Sequence, residues 1–194
     1  MSQAANSAVD ISARALTLIG ANPISSFSET STEAQIANNM YEDVAQASLC
    51  QTRWRFATNQ AVLNQLSNVP TGRFDVAHQL PTDTLMVHAI TVSDNLIQYS
   101  IYGDKVFSNS STSDQLVADF TFRAQETEWP SYFTLAVEYQ LAAIFATSIA
   151  RDDGLANAME QKAERLMAKA RTLDSQQQTT RKLVTNRFKT ERLS

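Results

Sequence analysis

The spacing of apolar residues changes twice along this chain, and these two changes constrain the fold more than any single motif. Apolar residues recur at helical spacing to about residue 57, alternate to about residue 126, and return to helical spacing to about residue 173. The pattern predicts an α+β fold. In it, an N-terminal and a C-terminal helical pair form a four-helix bundle with an inserted antiparallel β-sheet and an extended C-terminal tail.

Four regions follow from this division. We expect an N-terminal helical pair over residues 1–57, an inserted antiparallel β region over 58–126, a C-terminal helical pair over 127–173, and a basic C-terminal tail over 174–194. With 194 residues and 43% hydrophobic residues, the chain is long enough to bury a substantial core.

Capping residues mark the ends of the predicted helices. Asn6 or Ser7 precedes the first, and Gly20 stands where a left-handed residue ends it. Thr30 and Glu33 form a possible capping box for the second, which ends near Cys50. The third is expected from the Trp129–Ser131 turn to Ile149, and the fourth from Leu155 to Leu173.

Strands are predicted where apolar and polar residues alternate between short polar turns. Together they predict an antiparallel meander with one face on the core and the other toward water or a neighbour. The predicted strands are Thr84–Val92, Leu96–Tyr102, Val106–Ser108 and Gln115–Arg123.

Three further features concern the environment of the chain. Cys50 has no partner for an intramolecular disulfide, which favours synthesis in a reducing host cytoplasm, and its helical pattern predicts a buried structural thiol. Residues 1–10 lack the basic and apolar regions of a secretion signal. We also expect that no stretch approaches the roughly twenty apolar residues that span a bilayer, and hence no membrane partner.

Few residues carry the patterns of catalysis. His78 and His88 have no Cys pair or Glu-rich helix beside them to complete a metal site, and Asp83 is remote in sequence from the Asp152–Asp153 turn. The serines of residues 108–113 form a polar turn, and the four glycines are not grouped as in a phosphate loop. We therefore predict no enzyme activity, no catalytic residue, no cofactor and no metal.

The C-terminal tail differs in charge from the rest of the chain. From Ser175 to Ser194 it carries five cations against Glu191, a net +4, so a total of −4 leaves −8 for the remainder. Cations combined with apolar side chains are suited to an acidic protein groove, and we predict that this segment docks on a partner. The predicted docking residues are Arg181, Lys182, Leu183, Val184, Arg187, Phe188, Lys189 and Arg192.

Several segments, in their order and spacing, resemble the tail tubular or head-to-tail adaptor (connector) proteins of short-tailed bacteriophages. The resemblance covers about residues 8–170, and the tail after Leu173 has no match in it. The segments that carry it are Ala15–Gly20, Asn22–Ser26, Ala34, Ala37, Tyr41, Trp54–Ala57, Leu80–Leu85, Ala118–Arg123, Trp129–Phe133 and Leu141–Ala142.

The resemblance implies a structural virion protein at the head–tail junction. Its subunits would form a homo-oligomeric ring, twelve-fold in that family, that joins the portal protein to the tail nozzle protein and lines the channel through which genomic DNA passes. The C-terminal segment would then be the part that docks on the portal.

Other functions stay open. The basic tail also fits a nucleic-acid-binding packaging or regulatory protein, because cations that neutralise phosphates release counterions. A further alternative is a capsid-side connector of a long-tailed phage, which would have the same kind of structural role but different partners. A small hydrolase would need a pocket with perturbed acid or base residues, for which the sequence gives no sign.

Overall fold

A computed structural model describes residues 5–67 and 72–177 of the chain. The N-terminal helices are α1, Ala8–Leu18, and α2, Thr32–Cys50. Ser7 caps α1 by accepting a hydrogen bond from the Asp10 backbone N–H at 3.1 Å, and Gly20 beyond its end has φ +77°. Both predictions for α1 are thus confirmed. The predicted capping box of α2 is wrong, because Ser31 supplies the cap instead of Thr30.

The C-terminal helices are α3, Ser131–Phe145, and α4, Asp153–Ser175. A π-helical turn, Ala146–Ala150, continues α3, and Arg151 with φ 52° reverses the chain direction before α4. Asp152 caps α4 through the backbone N–H of Leu155 at 2.9 Å, which is the turn chemistry expected of the Asp-Asp-Gly sequence. The third helix therefore ends its regular α-helical path before the predicted Ile149.

Helix α3 lies at the centre of the helical region and packs against α1, α2 and α4. Its apolar residues occupy most of its circumference, so it can bury several faces at once. The regular four-helix bundle and the four-region division stay predictions beyond this central position of α3.

The middle of the chain forms two four-stranded antiparallel sheets. The first has the order β1-β8-β4-β5 and the second the order β2-β3-β7-β6. The strands are β1 Thr58–Val62, β2 Asn64–Gln65, β3 Val76–Gln79, β4 Thr84–Val92, β5 Asn95–Leu96, β6 Tyr99–Tyr102, β7 Lys105–Ser108 and β8 Leu116–Phe122.

The prediction of one antiparallel meander is therefore wrong. The predicted strand Leu96–Tyr102 is divided, because β5 pairs with β4 in one sheet whereas β6 pairs with β7 in the other. The long strand β4 has the predicted bounds, and β8 differs from its prediction by one residue at each end. Strands β1 to β3 were not predicted individually.

Two hydrophobic cores result, one among the helices and one between the sheets. The helical core contains Trp54, which is fully buried and donates from Nε1 to the Ser48 carbonyl oxygen at 2.9 Å. The sheet core contains Ile90 and Leu116, and Phe122 packs against both cores.

One sequence expectation about membranes requires correction. The helical stretch Ser131–Ala150 is long and apolar enough to cross a bilayer by length and composition alone. Half of this stretch is buried inside the fold, and core helices of soluble proteins pass the same test. Its apolar surface is thus used in packing against the other helices.

Candidate functional site

The end of α4 is held at the junction of the helical and sheet regions. Asp174, although charged, is 4% exposed. Its carboxylate accepts hydrogen bonds from the Arg55 backbone N–H and the Tyr132 hydroxyl, each at 3.1 Å. Burial and this carboxylate raise the pKa of Tyr132 to about 12, so the hydroxyl stays a donor at neutral pH. These contacts fix the position from which the C-terminal segment leaves the fold.

The predicted docking residues themselves lie outside the described residues, which end at Gln177. They are Arg181, Lys182, Leu183, Val184, Arg187, Phe188, Lys189 and Arg192.

A charged network connects the sheets to the helices. Arg123, just after β8, donates to both carboxylate oxygens of Glu42 on α2 at 2.8 and 2.9 Å and to Glu126 at 2.6 Å. Its guanidinium also lies 5.5 Å from the ring centre of Trp129. These hydrogen bonds lower the pKa of Glu42. Two-oxygen pairing of this kind fixes geometry as well as charge, so the network sets the angle between the two regions.

The residues considered for chemistry occupy structural positions. His78 on β3 is 2% exposed, and the burial that lowers its pKa favours the neutral ring. Its Nδ1 has no hydrogen-bond partner among the described residues. His88 on β4 shares a hydrogen bond of 2.8 Å with the Thr121 hydroxyl. Across residues 5–67 and 72–177, no group of three or more His, Cys, Asp or Glu side chains is placed to hold a metal ion.

The serines of residues 108–113 and Cys50 also occupy structural positions. Ser108 pairs with Ser110 at 2.6 Å, and Ser111 pairs with Ser113 at 2.9 Å. Cys50 is only half-buried, so the prediction of a buried thiol is wrong: the last turn of α2 leaves this face partly open. Desolvation raises the pKa of its thiol, which disfavours the reactive thiolate.

A groove of about 1000 Å³ runs along the helical region, with α3 as its floor and α2 and α4 as its walls. Its apolar lining includes Val44, Ile144 and Met167. Glu160 and Glu164 on α4 are exposed along the same groove. Helix α3 separates the two walls here, so the groove is a surface available for docking.

The strands also expose several large apolar side chains. Leu96 on β5 is 76% exposed, Tyr102 on β6 is 56% exposed, and Val62 on β1 is 53% exposed. Contiguous apolar patches commonly mark contact surfaces, whereas Val62 and Leu96 lie on opposite edge strands of one sheet.

Glu138 is a buried acid whose charge is only partly balanced by a neighbouring cation. Glu138 on α3 is 6% exposed, and its carboxylate lies 3.6 Å from the guanidinium of Arg14 on α1. Burial raises the pKa of Glu138, and the nearby Arg14 charge only partly opposes this effect. The charge of Glu138 is therefore an electrostatically unfavourable part of the α1–α3 contact.

Comparison with known protein families identifies the family of the chain. The sequence model of the tail tubular protein family matches residues 7–182, a stretch that contains all four helices and both sheets. The chain belongs to the tail tubular protein family. This confirms the resemblance inferred from the sequence motifs. A search of curated proteins gave no match.

Membership makes the chain a structural component of the bacteriophage tail, and so of the virion. Proteins of such a structural family act by assembling with others rather than by catalysis.

Sequence reasoning missed the groove and the Arg123 network. The groove depends on how α2 and α4 diverge from α3, which helical periodicity does not encode. The network joins Arg123 to Glu42, which lies 81 residues earlier, and a single sequence gives no signal for such a pair.

Proposed function

We propose that this tail tubular protein is the head-to-tail adaptor. In this proposal its subunits form a ring, dodecameric as the family resemblance implies, that joins the portal protein to the tail nozzle protein and lines the DNA ejection channel. The ring sits at the head–tail junction of the virion after synthesis in the host cytoplasm. The observation that carries the proposal is that a chain of this family has a partly apolar groove on its helices and exposed apolar side chains on its strands.

Ring closure requires two different contact surfaces on each subunit. A subunit in a cyclic assembly contacts its two neighbours through different surfaces, whereas a two-fold dimer uses one surface twice. In the proposed ring the helices form the wall by side-by-side packing, and the sheet region extends toward the tail. The Arg123 network supports this arrangement because it holds the two regions at one angle.

The charge of the chain is compatible with a channel for DNA. Outside the C-terminal segment the net charge is −8, so the subunit body repels the phosphate backbone. Repulsion at a channel wall allows DNA to slide without adhering.

The C-terminal segment is the proposed contact with the portal. It combines five cations with Leu183, Val184 and Phe188, a composition that fits an acidic surface with apolar pockets. The contacts of Asp174 support this role, because they define where the segment begins on every subunit.

Electron microscopy of the purified full-length protein with and without portal protein tests the ring. We expect rings whose subunit number matches that of the portal when both are mixed. Absence of the chain from purified virions, or portal-bound assemblies of a different symmetry, contradicts the proposal.

Truncation tests the role of the C-terminal segment. Deletion of Gln176–Ser194 should leave a folded protein that no longer joins portal-bearing heads. Two full-length variants separate the contributions: Leu183→Ser with Phe188→Ser removes apolar contacts, and Arg181→Gln with Lys182→Gln removes charge. Unimpaired attachment of the truncated protein contradicts portal docking by this segment.

The composition of the C-terminal segment also favours a second candidate, a packaging or regulatory protein that binds nucleic acid. Binding to duplex DNA measured across a salt series distinguishes the two. Tight association at moderate ionic strength supports the second candidate, whereas the adaptor predicts weak association that salt abolishes.

A further inference from the structure

The groove between α2 and α4 has acidic and apolar parts in a definite arrangement. Val44 from α2, Ile144 from α3 and Met167 from α4 line it with apolar atoms. Glu160 and Glu164 are exposed on the α4 wall, and Asp153 lies near the start of that helix. A basic segment with apolar side chains is the kind of ligand that satisfies both parts.

The chain carries such a segment. Residues 178–194 contain five cations, one acid and the apolar residues Leu183, Val184, Phe188 and Leu193. Val184 and Phe188 are four residues apart, so they project from one side if the segment binds as a helix. The charge of the segment is opposite to that of Asp153, Glu160 and Glu164, which outnumber Arg171, a cation that also lines the groove.

The length of this segment and the point where it begins also fit docking in the groove. The groove follows α4 from Asp153 to Arg171, a rise of about 27 Å at 1.5 Å per residue. The 17 residues from 178 to 194 reach about 56 Å when extended, enough to reverse direction and run the length of the groove. The described chain ends at Gln177, whose side chain donates to the Tyr132 hydroxyl at 3.3 Å.

We propose that residues 178–194 dock in the groove between α2 and α4 of their own subunit before assembly. The acids Glu160 and Glu164 meet the cations, and the apolar floor receives Leu183, Val184 or Phe188. Attachment to the same chain favours this occupant over a second copy, because a short connection gives an effective concentration in the millimolar range. The inference goes beyond the adaptor function, since it concerns the free subunit.

Cysteine cross-linking in the full-length protein tests the docking. In a Cys50→Ser background, Asn186→Cys is paired with Ala47→Cys, an exposed residue that lines the groove on α2. The matched control pairs Asn186→Cys with Gln46→Cys, the neighbouring exposed residue that does not line it. We expect the Ala47 pair to give about fivefold more intramolecular disulfide than the Gln46 pair under mild oxidation, independent of protein concentration.

Charge reversal gives a second readout. Glu160→Lys with Glu164→Lys should lower the yield of the Ala47 pair about threefold, as should about 0.5 M NaCl. Gln161→Lys with Ala168→Lys adds two positive charges to exposed α4 positions outside the groove lining and should leave the yield unchanged. Far-UV circular dichroism of each variant establishes that the fold is retained.

Two outcomes overturn the inference. Equal yields from the Ala47 and Gln46 pairs show that the segment does not prefer the groove. Disulfides that form only between chains, with a yield that rises with protein concentration, show that a second copy is the occupant. No portal or nozzle protein takes part in this measurement, so its failure leaves the adaptor proposal standing.

Discussion

The helical core and the sheet core of this protein differ in size and in completeness. The helical core contains both tryptophans and two fully buried phenylalanines, Phe133 and Phe145. The sheet core comprises, within the described residues, seven buried residues of which only Phe120 is aromatic. Burial of apolar area is the main favourable term in folding, so the helices hold themselves together more strongly than the sheets do.

The exposed surfaces of the two regions differ in the opposite sense, because the strands expose more large hydrophobic side chains than the helices do. Seven large hydrophobic residues are exposed in the described parts of the chain, and five of them lie on strands. Leu135 and Leu173 are the two on helices. The comparison teaches that the sheet region depends on its connection to the helices, and on contacts with other molecules, for apolar burial that it does not achieve alone.

The largest expected effect comes from the helical core. Trp54→Ala should lower the free energy of unfolding by about 3 to 5 kcal/mol, because it removes a fully buried indole and its hydrogen bond to Ser48. Urea denaturation followed by circular dichroism measures this loss. An unchanged unfolding midpoint contradicts the core position of Trp54.

A smaller loss is expected in the sheet core and sharpens the comparison. Ile90→Ala should cost about 2 to 4 kcal/mol. Because Trp54 and Trp129 both lie in the helical core, tryptophan fluorescence follows the helices, whereas far-UV circular dichroism follows both regions. We expect the circular dichroism transition of this variant to begin at lower urea than the fluorescence transition. Coincident transitions would mean that the two cores unfold as one unit.

The Arg123 network between the two regions should contribute less to the free energy of unfolding than either core. Arg123→Met leaves Glu126 and Glu42 without their guanidinium partner and should cost about 1 to 3 kcal/mol. Arg53→Met is the matched control, since Arg53 is largely exposed and lies 3.9 Å from Asp119, and it should change stability by less than about 0.5 kcal/mol. Equal effects of the two substitutions would show that the network does not connect the regions.

The smallest effect concerns pH and the helical core. Burial raises the pKa of Glu138, so the folded state binds its proton more tightly than the unfolded chain does. Stability is therefore lost as pH rises above the ordinary carboxyl pKa of about 4.5. Glu138→Gln should raise the melting temperature at pH 7, by an amount equivalent to less than about 1 kcal/mol, with no gain at pH 4.

Thermal unfolding at both pH values measures this effect. Glu160→Gln, a change at an exposed α4 residue, serves as the control and should show no such difference. A lower melting temperature for Glu138→Gln at pH 7 would mean that the contact with Arg14 outweighs the cost of burial.

The sequence predicted those parts of the fold that depend on near neighbours. Ser7 and Gly20 mark the ends of α1 because caps act within one turn, and β4 has its predicted bounds because polar turns flank it. Strands β1 and β2 were not predicted because their segment, Thr58–Gln65, is rich in Asn and Gln, which strands disfavour. Their partners are distant in the chain, and pairing with β8 and β3 holds them in place.

The site was less predictable than the fold. The division of Leu96–Tyr102 between two sheets depends on which partner each half meets, since alternation is the same in both. The family could be predicted because its motifs lie in order along the chain, whereas the groove arises from the relative positions of three helices.

The contacts of Asp174 have a mechanical consequence. A force applied to the C-terminal segment reaches the fold at the last turn of α4, where Asp174 is bonded to Arg55 and Tyr132. Arg55 directly follows the fully buried Trp54. Tension is therefore transmitted into the buried helical core instead of peeling α4 away turn by turn.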